Sequence, residues 1–410
     1  MKCKIGHLCC NIGSGGTPSR KKVDYYNNGD IKWLKTKELE DKNIYDTEEY
    51  ITREGLNNSS AKLFPINTVT MAMYGATVGK LGILKTECAT NQACCNMVVD
   101  RDKADYRFLY YSLMKNRDDL INLANGAAQQ NLNKGIIENF EIEYYPLKEQ
   151  KAIADILSSL DEKIELNNQM NQTLEEMAQA LFKRWFVDFE FPNEEGQPYK
   201  SSGGEMVESE LGMIPKGWEL SSVYDLGDYI NGTSFKKNDY SEHGVPIIKI
   251  AELKQGITLG TRYFKGDKDK KYYLENGDIL FSWSGNPDTS IDTFIWHRGD
   301  AILNQHIFKV VPNYKVNGSY IYSLLKYFKP MFAETARNKQ TTGLGHVTVS
   351  DLKRIKTTLD KEICRKYHSI CESIIEQIIN NNLENNMLIK LRDTLLPKLM
   401  SGEIRVSDLN

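Results

Sequence analysis

The feature that most constrains this chain is that it repeats itself. Displacing the sequence by about 214 residues brings like segments together in order: IKWLKTKEL (31–39) onto PIIKIAEL (246–253), ATNQACCNMVVD (89–100) onto ILNQHIFKVVPN (302–313), and FLYYSLMK (108–115) onto YIYSLLKY (320–327). Glu38-Leu39 falls on Glu252-Leu253, and Asn91-Gln92 on Asn304-Gln305. Each match alone is weak, but a nearly constant offset with preserved order points to one structural unit made twice. Length agrees, since 410 residues exceed what one hydrophobic core usually organises.

Two long helices sharpen the repeat. From Lys148 to about Phe186 there is no Pro or Gly, and apolar residues recur at 4,3 spacing: Ile153, Leu157, Leu160 and Ile164, then Leu174, Ala178, Leu181 and Trp185. That is the seam of a coiled coil. The second copy offers Tyr367, Cys371, Ile374 and Ile378, then Leu388, Leu395 and Leu399. In the middle of each seam the heptads are completed by Asn: Asn167 and Asn171 in the first, Asn381 and Asn385 in the second. On a surface such residues are simply solvated. Buried on a seam they cost stability and fix register, because a mispaired amide is left without partners. A second copy related by a pseudo-two-fold axis reverses direction, so antiparallel pairing is expected, with the four Asn meeting where the helices cross and a globular domain at each end of a rod.

The expected fold class is therefore α+β, two mixed α/β domains separated by two long antiparallel coiled-coil helices. Boundaries fall at 1–146 for the first domain, 147–188 for the first helix, 189–210 for a linker, 211–358 for the second domain, and 359–410 for the second helix and tail. The linker is read from DFEFPNEEGQPYKSSGGEM (188–206), rich in Gly, Ser, Pro and acid. Strands are expected at Thr68–Met73 and Ile307–Val311, and short helices near Arg107–Lys115 and Tyr320–Phe328.

The chemistry of catalysis is missing. Gly75–Lys80 (GATVGK) has its first Gly one residue too near for a phosphate loop, and Leu81 replaces the required Ser or Thr, so it reads as a strand turn. Asn286-Pro287-Asp288 lacks the second Pro and aromatic residue of an amino-methyltransferase motif, and no Glu-x-Lys follows it to make a nuclease site. With 6 His there is no HExxH and no deaminase pattern. The 8 Cys include the adjacent pairs Cys9-Cys10 and Cys94-Cys95, which fit neither a disulfide framework nor a metal knuckle; reduced thiols and no metal are expected. No apolar run is long enough for a membrane span, no secretory signal is expected, and the protein is expected in the cytoplasm. A net charge of −3 argues against a free-standing nucleic-acid binder unless basic residues are segregated on one face or a partner adds positive charge.

Several segments carry a family resemblance. ALFKRWFVDFEFP (180–192) and LRDTLLPKLMSGEI (391–404) resemble the ends of the two spacer helices in specificity subunits of type I restriction-modification enzymes, and PLKEQKAIADIL (146–157) resembles the start of the first spacer. IGSGGTPSR (12–20), MYGATVGKLGIL (73–84), Asn91-Gln92 and GMIPKGWEL (212–220) resemble parts of that family's target recognition domains. The resemblance implies a non-catalytic subunit that reads a split double-stranded DNA target, one recognition domain to each half-site. It also implies assembly with two methyltransferase subunits and two restriction or motor subunits, which would hold S-adenosylmethionine, ATP and magnesium. About 38 residues of helix span about 57 Å, longer than one duplex turn of about 34 Å, so a rigid pair can act as a ruler between half-sites. SFKKNDYSEHG (234–244) lacks the Gly-Thr-Pro of Gly16–Pro18, and SWSGNPDTS (282–290) stands where the first domain has GATVGKLGI. Divergent readers on matched helices imply an asymmetric target.

Base edges are read by side chains with paired donors and acceptors, and phosphates are held by Lys, Arg, hydroxyls and backbone amides. In the first domain this selects Ser14, Thr17, Ser19, Arg20 and Lys21, then Tyr74, Thr77 and Lys80, then Gln129, Gln130 and Asn131. In the second it selects Thr233, Ser234, Lys236 and Lys237, then Ser282, Trp283 and Ser284, then Lys339, Gln340, Thr341, Thr342 and His346. Polar loop residues are often merely solvated; the three-cluster pattern is the stronger expectation. Asn91-Gln92 and Asn304-Gln305 are expected to satisfy a turn. Trp185 and Phe186 either pack the core or dock a partner. The competing reading is a coiled-coil protein adaptor that does not touch DNA.

Overall fold

In the computed structural model, which describes residues 1–125, 131–258, 260–339 and 344–406, the repeat is visible hydrogen bond by hydrogen bond. The chain divides into two compact units, Met1–Lys163 with Leu388–Asn410, and Ile164–Met387. Each unit holds one mixed α/β domain and a part of both long helices.

In the first unit, a five-stranded sheet runs in the order Cys9–Ser14, Cys94–Val99, Val69–Ala72, Leu81–Leu84, Lys42–Ile44. Beside it lies a four-stranded sheet in the order Tyr50–Ile51, Ile31–Leu34, Cys88–Thr90, Leu63–Phe64. In the second unit the corresponding sheets are Gly227–Asn231, Ile307–Pro312, Ile279–Ser282, Asp292–Ile295, and then Tyr240–Ser241, Tyr263–Phe264, Val245–Ile248, Ala301–Leu303, Tyr273–Leu274. The parallel pair Trp33↔Ala89 and Leu34↔Thr90 returns as Ile247↔Ile302 and Ile248↔Leu303. Immediately beyond it, the Asn91 N–H donates to Leu34 O at 2.9 Å and the Asn304 N–H to Ile248 O at 3.0 Å.

Local sequence explains these elements. Val69–Ala72 and Leu81–Leu84 are buried along their whole lengths, so they read as continuous apolar runs rather than alternating ones. The GATVGK segment between them is the expected turn: Gly75 and Gly79 take φ of 91° and 80°, left-handed values that a Cβ disfavours. Cys94 and Cys95 serve different cores because neighbouring strand residues face opposite ways: Cys94 packs with Leu34, Phe64 and Leu84, Cys95 with Ile12, Met71 and Met97. Burial pushes the Cys95 thiol up to about 12, so it is protonated and apolar in use.

The long helices run Leu147–Phe186 and Lys361–Ser401. The first is anchored by Gln150, which is fully buried; its amide donates to Tyr145 O at 2.8 Å and its Oε1 accepts from the Asp105 N–H at 3.1 Å. It stops where Phe189 turns left-handed at φ 59°. The second begins under Asp360, whose Oδ1 accepts from the Glu362 and Ile363 N–H groups at 2.9 Å each. Inside each unit the helices run in opposite senses. In the first, Ile153 and Leu157 share a core with Leu396 and Leu399, and Arg392 Nη1 meets Asp161 Oδ1 at 2.7 Å. In the second, Asn167 faces Asn385, Asn171 faces Asn381, and the Tyr367 hydroxyl donates to Ala178 O at 3.0 Å.

The segment after the first helix is pinned by aromatic residues scattered among its Gly and Ser. Phe191 stacks on Tyr199 and Trp218 at 4.6 and 5.1 Å, and Phe189 meets Trp218 edge-on at 5.5 Å. Trp185 and Phe186 are core residues, packed on Tyr367 and Tyr320. Burying each such ring is worth about 1.5–3 kcal/mol. Among the described residues no helix is long and apolar enough to cross a membrane.

Candidate nucleic-acid interface

The opening loop of the first domain sits where its glycines press on backbone. A Cβ on Gly15 would stand 1.9 Å from Thr90 O, and one on Gly16 2.2 Å from Ser60 Oγ. This close approach ends the strand at Ser14 and presents Thr17 to Gln92, whose Oε1 accepts from the Thr17 hydroxyl. Asn91 does the expected turn work, its Oδ1 accepting from the Ala93 N–H at 3.1 Å, while Gln92 points to the loop. Ser19 and Lys21 are exposed. Arg20 lies over the rings of Tyr26 and Trp33 at 4.4 and 5.0 Å and reaches Glu49 at 2.6 Å. Hydrogen bonding to Arg20 holds the Glu49 carboxyl below the usual range, so much of the Arg20 charge is spent within the protein.

The second cluster is similarly committed. Lys80 Nζ lies 2.7 Å from Asp41 Oδ2, and Arg117 shares that carboxylate. Two cations therefore share one carboxylate, and Tyr74 packs half-buried against the domain core. The Thr77 hydroxyl donates to Thr36 O at 2.9 Å. Asn131 is exposed; Gln129 and Gln130 lie outside the described residues.

In the second domain, Thr233 bridges to Asn304, and its carbonyl accepts from the Gln305 N–H at 3.0 Å. Ser234, Lys236 and Lys237 are exposed, with the Lys236 N–H capped by Asp239 Oδ2 at 2.7 Å. The structure adds a neighbour that the sequence reading did not select. Lys268 lies over Phe235 and Phe264 at 5.0 and 5.7 Å and reaches Ser234 O at 3.5 Å, placing KGDKDKK (265–271) against the opening loop. Lys265, Lys270 and Lys271 are exposed there. The available signal was four Lys within seven residues next to aromatic residues.

The second and third clusters of this domain come together: a short strand pairing sets Ser284 opposite His346, with Ser284 Oγ 2.8 Å from His346 Nδ1. The Trp283 ring is 5.9 Å from that of His346. Ser282 is fully buried beneath them. Lys339 is held by the buried carboxylate of Asp351 at 2.6 Å. Gln340, Thr341 and Thr342 lie outside the described residues.

On the helices of the second unit, Asn167 Nδ2 donates to Asn385 Oδ1 at 2.9 Å and Asn381 Nδ2 to Asn171 Oδ1 at 2.8 Å. Asn168 and Asn382 join the same network at 2.9 and 3.2 Å. Asn167, Asn381 and Asn385 are buried, so these amides are seam residues and not solvated surface.

A family model described as the type I restriction modification DNA specificity domain matches residues 2–176 and again residues 215–385. The chain is 31% identical over 415 residues to the MjaIX type I restriction enzyme specificity subunit of Methanocaldococcus jannaschii, covering 97% of this chain and 92% of the relative. It is 28% identical over 317 residues to the HindI specificity subunit of Haemophilus influenzae, covering 62% and 67% respectively. The crystal structure of a type I restriction-modification S subunit from M. genitalium shares the fold, with a TM-score of 0.55 at 18% identity over 97% of this chain and 95% of that one. With the family model matching twice along one duplicated chain, this protein belongs to the type I restriction-modification specificity family, as a specificity subunit.

Proposed function

We propose that this subunit reads an asymmetric, two-part sequence in double-stranded DNA, each recognition domain contacting one half-site, and that it does so without catalysing a reaction itself. The observation that carries this reading is one backbone plan made twice with different side chains at corresponding loops. In the frame that sets Gly15 on Gly232, Thr17, Ser19 and Lys21 answer to Ser234, Lys236 and Asn238; Met73 and Tyr74 answer to Trp283 and Ser284. Phosphate contacts position a protein and base contacts specify, so a shared frame with dissimilar polar edges fits two different half-sites.

The paired long helices, about 60 Å each at 1.5 Å per residue, fix the spacing in this proposal, and the Asn network sets their register. Leu166, Met170 and Met177 are exposed along one side of the first helix, a surface suited to an apolar partner. Two methyltransferase subunits and two restriction or motor subunits assemble on the chain in the cytoplasm and bring S-adenosylmethionine, ATP and magnesium. With a net charge of −3, this proposal requires those partners to bring positive charge to the DNA. Selection of random-sequence duplex with and without a co-expressed methyltransferase subunit tests this. Enrichment of a two-part motif only with the partner present is expected; no enrichment favours the protein adaptor.

A further inference from the structure

At one spot the two copies carry different chemistry. In the first, Val69–Ala72 is followed by Met73, whose N–H donates to Ala93 O at 2.8 Å; in the second, Ile279–Ser282 is followed by Trp283, whose N–H donates to His306 O at 3.3 Å. The shared backbone bond makes Ala93 and His306 corresponding residues, as are Met73 and Trp283. His306 sits at φ 76°, left-handed for a residue with a bulky side chain. Its Nδ1 and the Oγ of buried Ser282 have no hydrogen-bond partner among the described residues. Strain and unsatisfied polarity of this kind persist where the surroundings over-determine them, often at binding sites. Alanines occupy both corresponding positions, Ala72 and Ala93, in the first copy.

Next to these groups the side chains form a connected edge. Trp283 stacks on Phe308 at 5.6 Å and lies 5.1 Å from the His306 ring, while its Nε1–H donates to Asn231 Oδ1 at 3.2 Å. Ser284 Oγ holds His346 Nδ1 at 2.8 Å, and the strand carrying His346 is locked by Gly345, where a Cβ would meet Ala336 O at 2.4 Å. Burial and the neighbouring His346 keep His306 below the ordinary imidazole range, so it packs as a neutral ring. When the Ser284 hydroxyl donates to Nδ1, the imidazole carries its proton on Nε2.

We infer that His346, oriented by Ser284 and flanked by Trp283 and His306, is a specificity-determining residue of the second recognition domain, its Nε2–H donating to an acceptor on a major-groove base edge. Guanine O6 and N7, adenine N7 and thymine O4 are such acceptors, and Trp283 supplies a flat apolar surface beside them. The inference rests on the reading of the chain as a two-half-site DNA reader.

The test modifies random-sequence duplex with the full-length chain in complex with its methyltransferase partner and sequences the modified molecules. His346→Ala is expected to relax preference at one base of one half-site by roughly tenfold, leaving the other half-site and the spacing unchanged. Ser284→Ala, which frees the ring but keeps the imidazole, relaxes the same base less. An unchanged motif with either variant overturns the inference, and so does a uniform loss across both half-sites, the mark of a structural role. If the unaltered complex selects no two-part motif, the underlying reading itself fails, and the inference with it. Should His346→Ala not assemble, the Ser284→Ala result decides.

Discussion

At the scale of single residues, Gly15 and Gly232 hold corresponding places, and each is forced. A Cβ on Gly232 would stand 2.0 Å from Asn304 O, as one on Gly15 would from Thr90 O at 1.9 Å. Because the neighbour is backbone, it cannot rotate away. Gly232→Ala is expected to lower stability by about 2–3 kcal/mol, read as a lower melting temperature of the full chain; an unchanged melt would contradict the close packing. The glycine-rich opening IGSGG is plain in the sequence, but which glycine is indispensable depends on a residue some 75 positions away. The charges were legible in the same partial way. Arg20, Lys80 and Lys339 are loop cations by sequence, yet each finds a carboxylate in a distant segment, Glu49, Asp41 and Asp351. Local sequence does not show which cations stay free for phosphate.

At the scale of elements, the long helices were the most legible part, because forty residues without interruption give periodicity room to declare itself. Strands of two or three residues, such as Tyr50–Ile51 and Cys88–Thr90, show no period at all and emerge only from their partners. The Asn network makes a directional prediction. Asn167→Leu alone deprives Asn385 of an amide partner on the seam and should cost about 1–2 kcal/mol. Replacing Asn167, Asn171, Asn381 and Asn385 together by Leu should raise the melting temperature while loosening register. A fall in melting temperature for the fourfold variant would contradict the seam argument. A second element-level prediction concerns His297, whose carbonyl accepts from Asn386 Nδ2 of the second long helix at 3.2 Å. Burial, and then the nearby Arg298, lower this imidazole from 6.5 to about 4. The unfolded chain therefore takes up the proton first. The stability contribution is complete above pH 6.5 and is lost as pH falls towards 4, a total of about 3 kcal/mol. Urea denaturation of His297→Gln should show a shallower loss of stability between pH 7 and 4.5 than the unaltered chain; equal slopes would contradict it.

At the scale of the whole molecule, duplication was legible because corresponding segments keep their order, and it is what lets the proposed function give one half-site to each domain. Recognition surfaces were less legible, since polar loop residues become a surface only when separate segments meet, as Ser284 and His346 do. The proposed function stands or falls on whether the paired helices set the gap between the two half-sites. The most direct test removes the facing heptads 165–171 and 381–387 together and maps the sequence that the partnered complex modifies. The expected result is both half-sites unchanged with the gap between them shorter by about three base pairs, from 1.5 Å per helical residue and 3.4 Å per base pair; a modified sequence with the original spacing would contradict it.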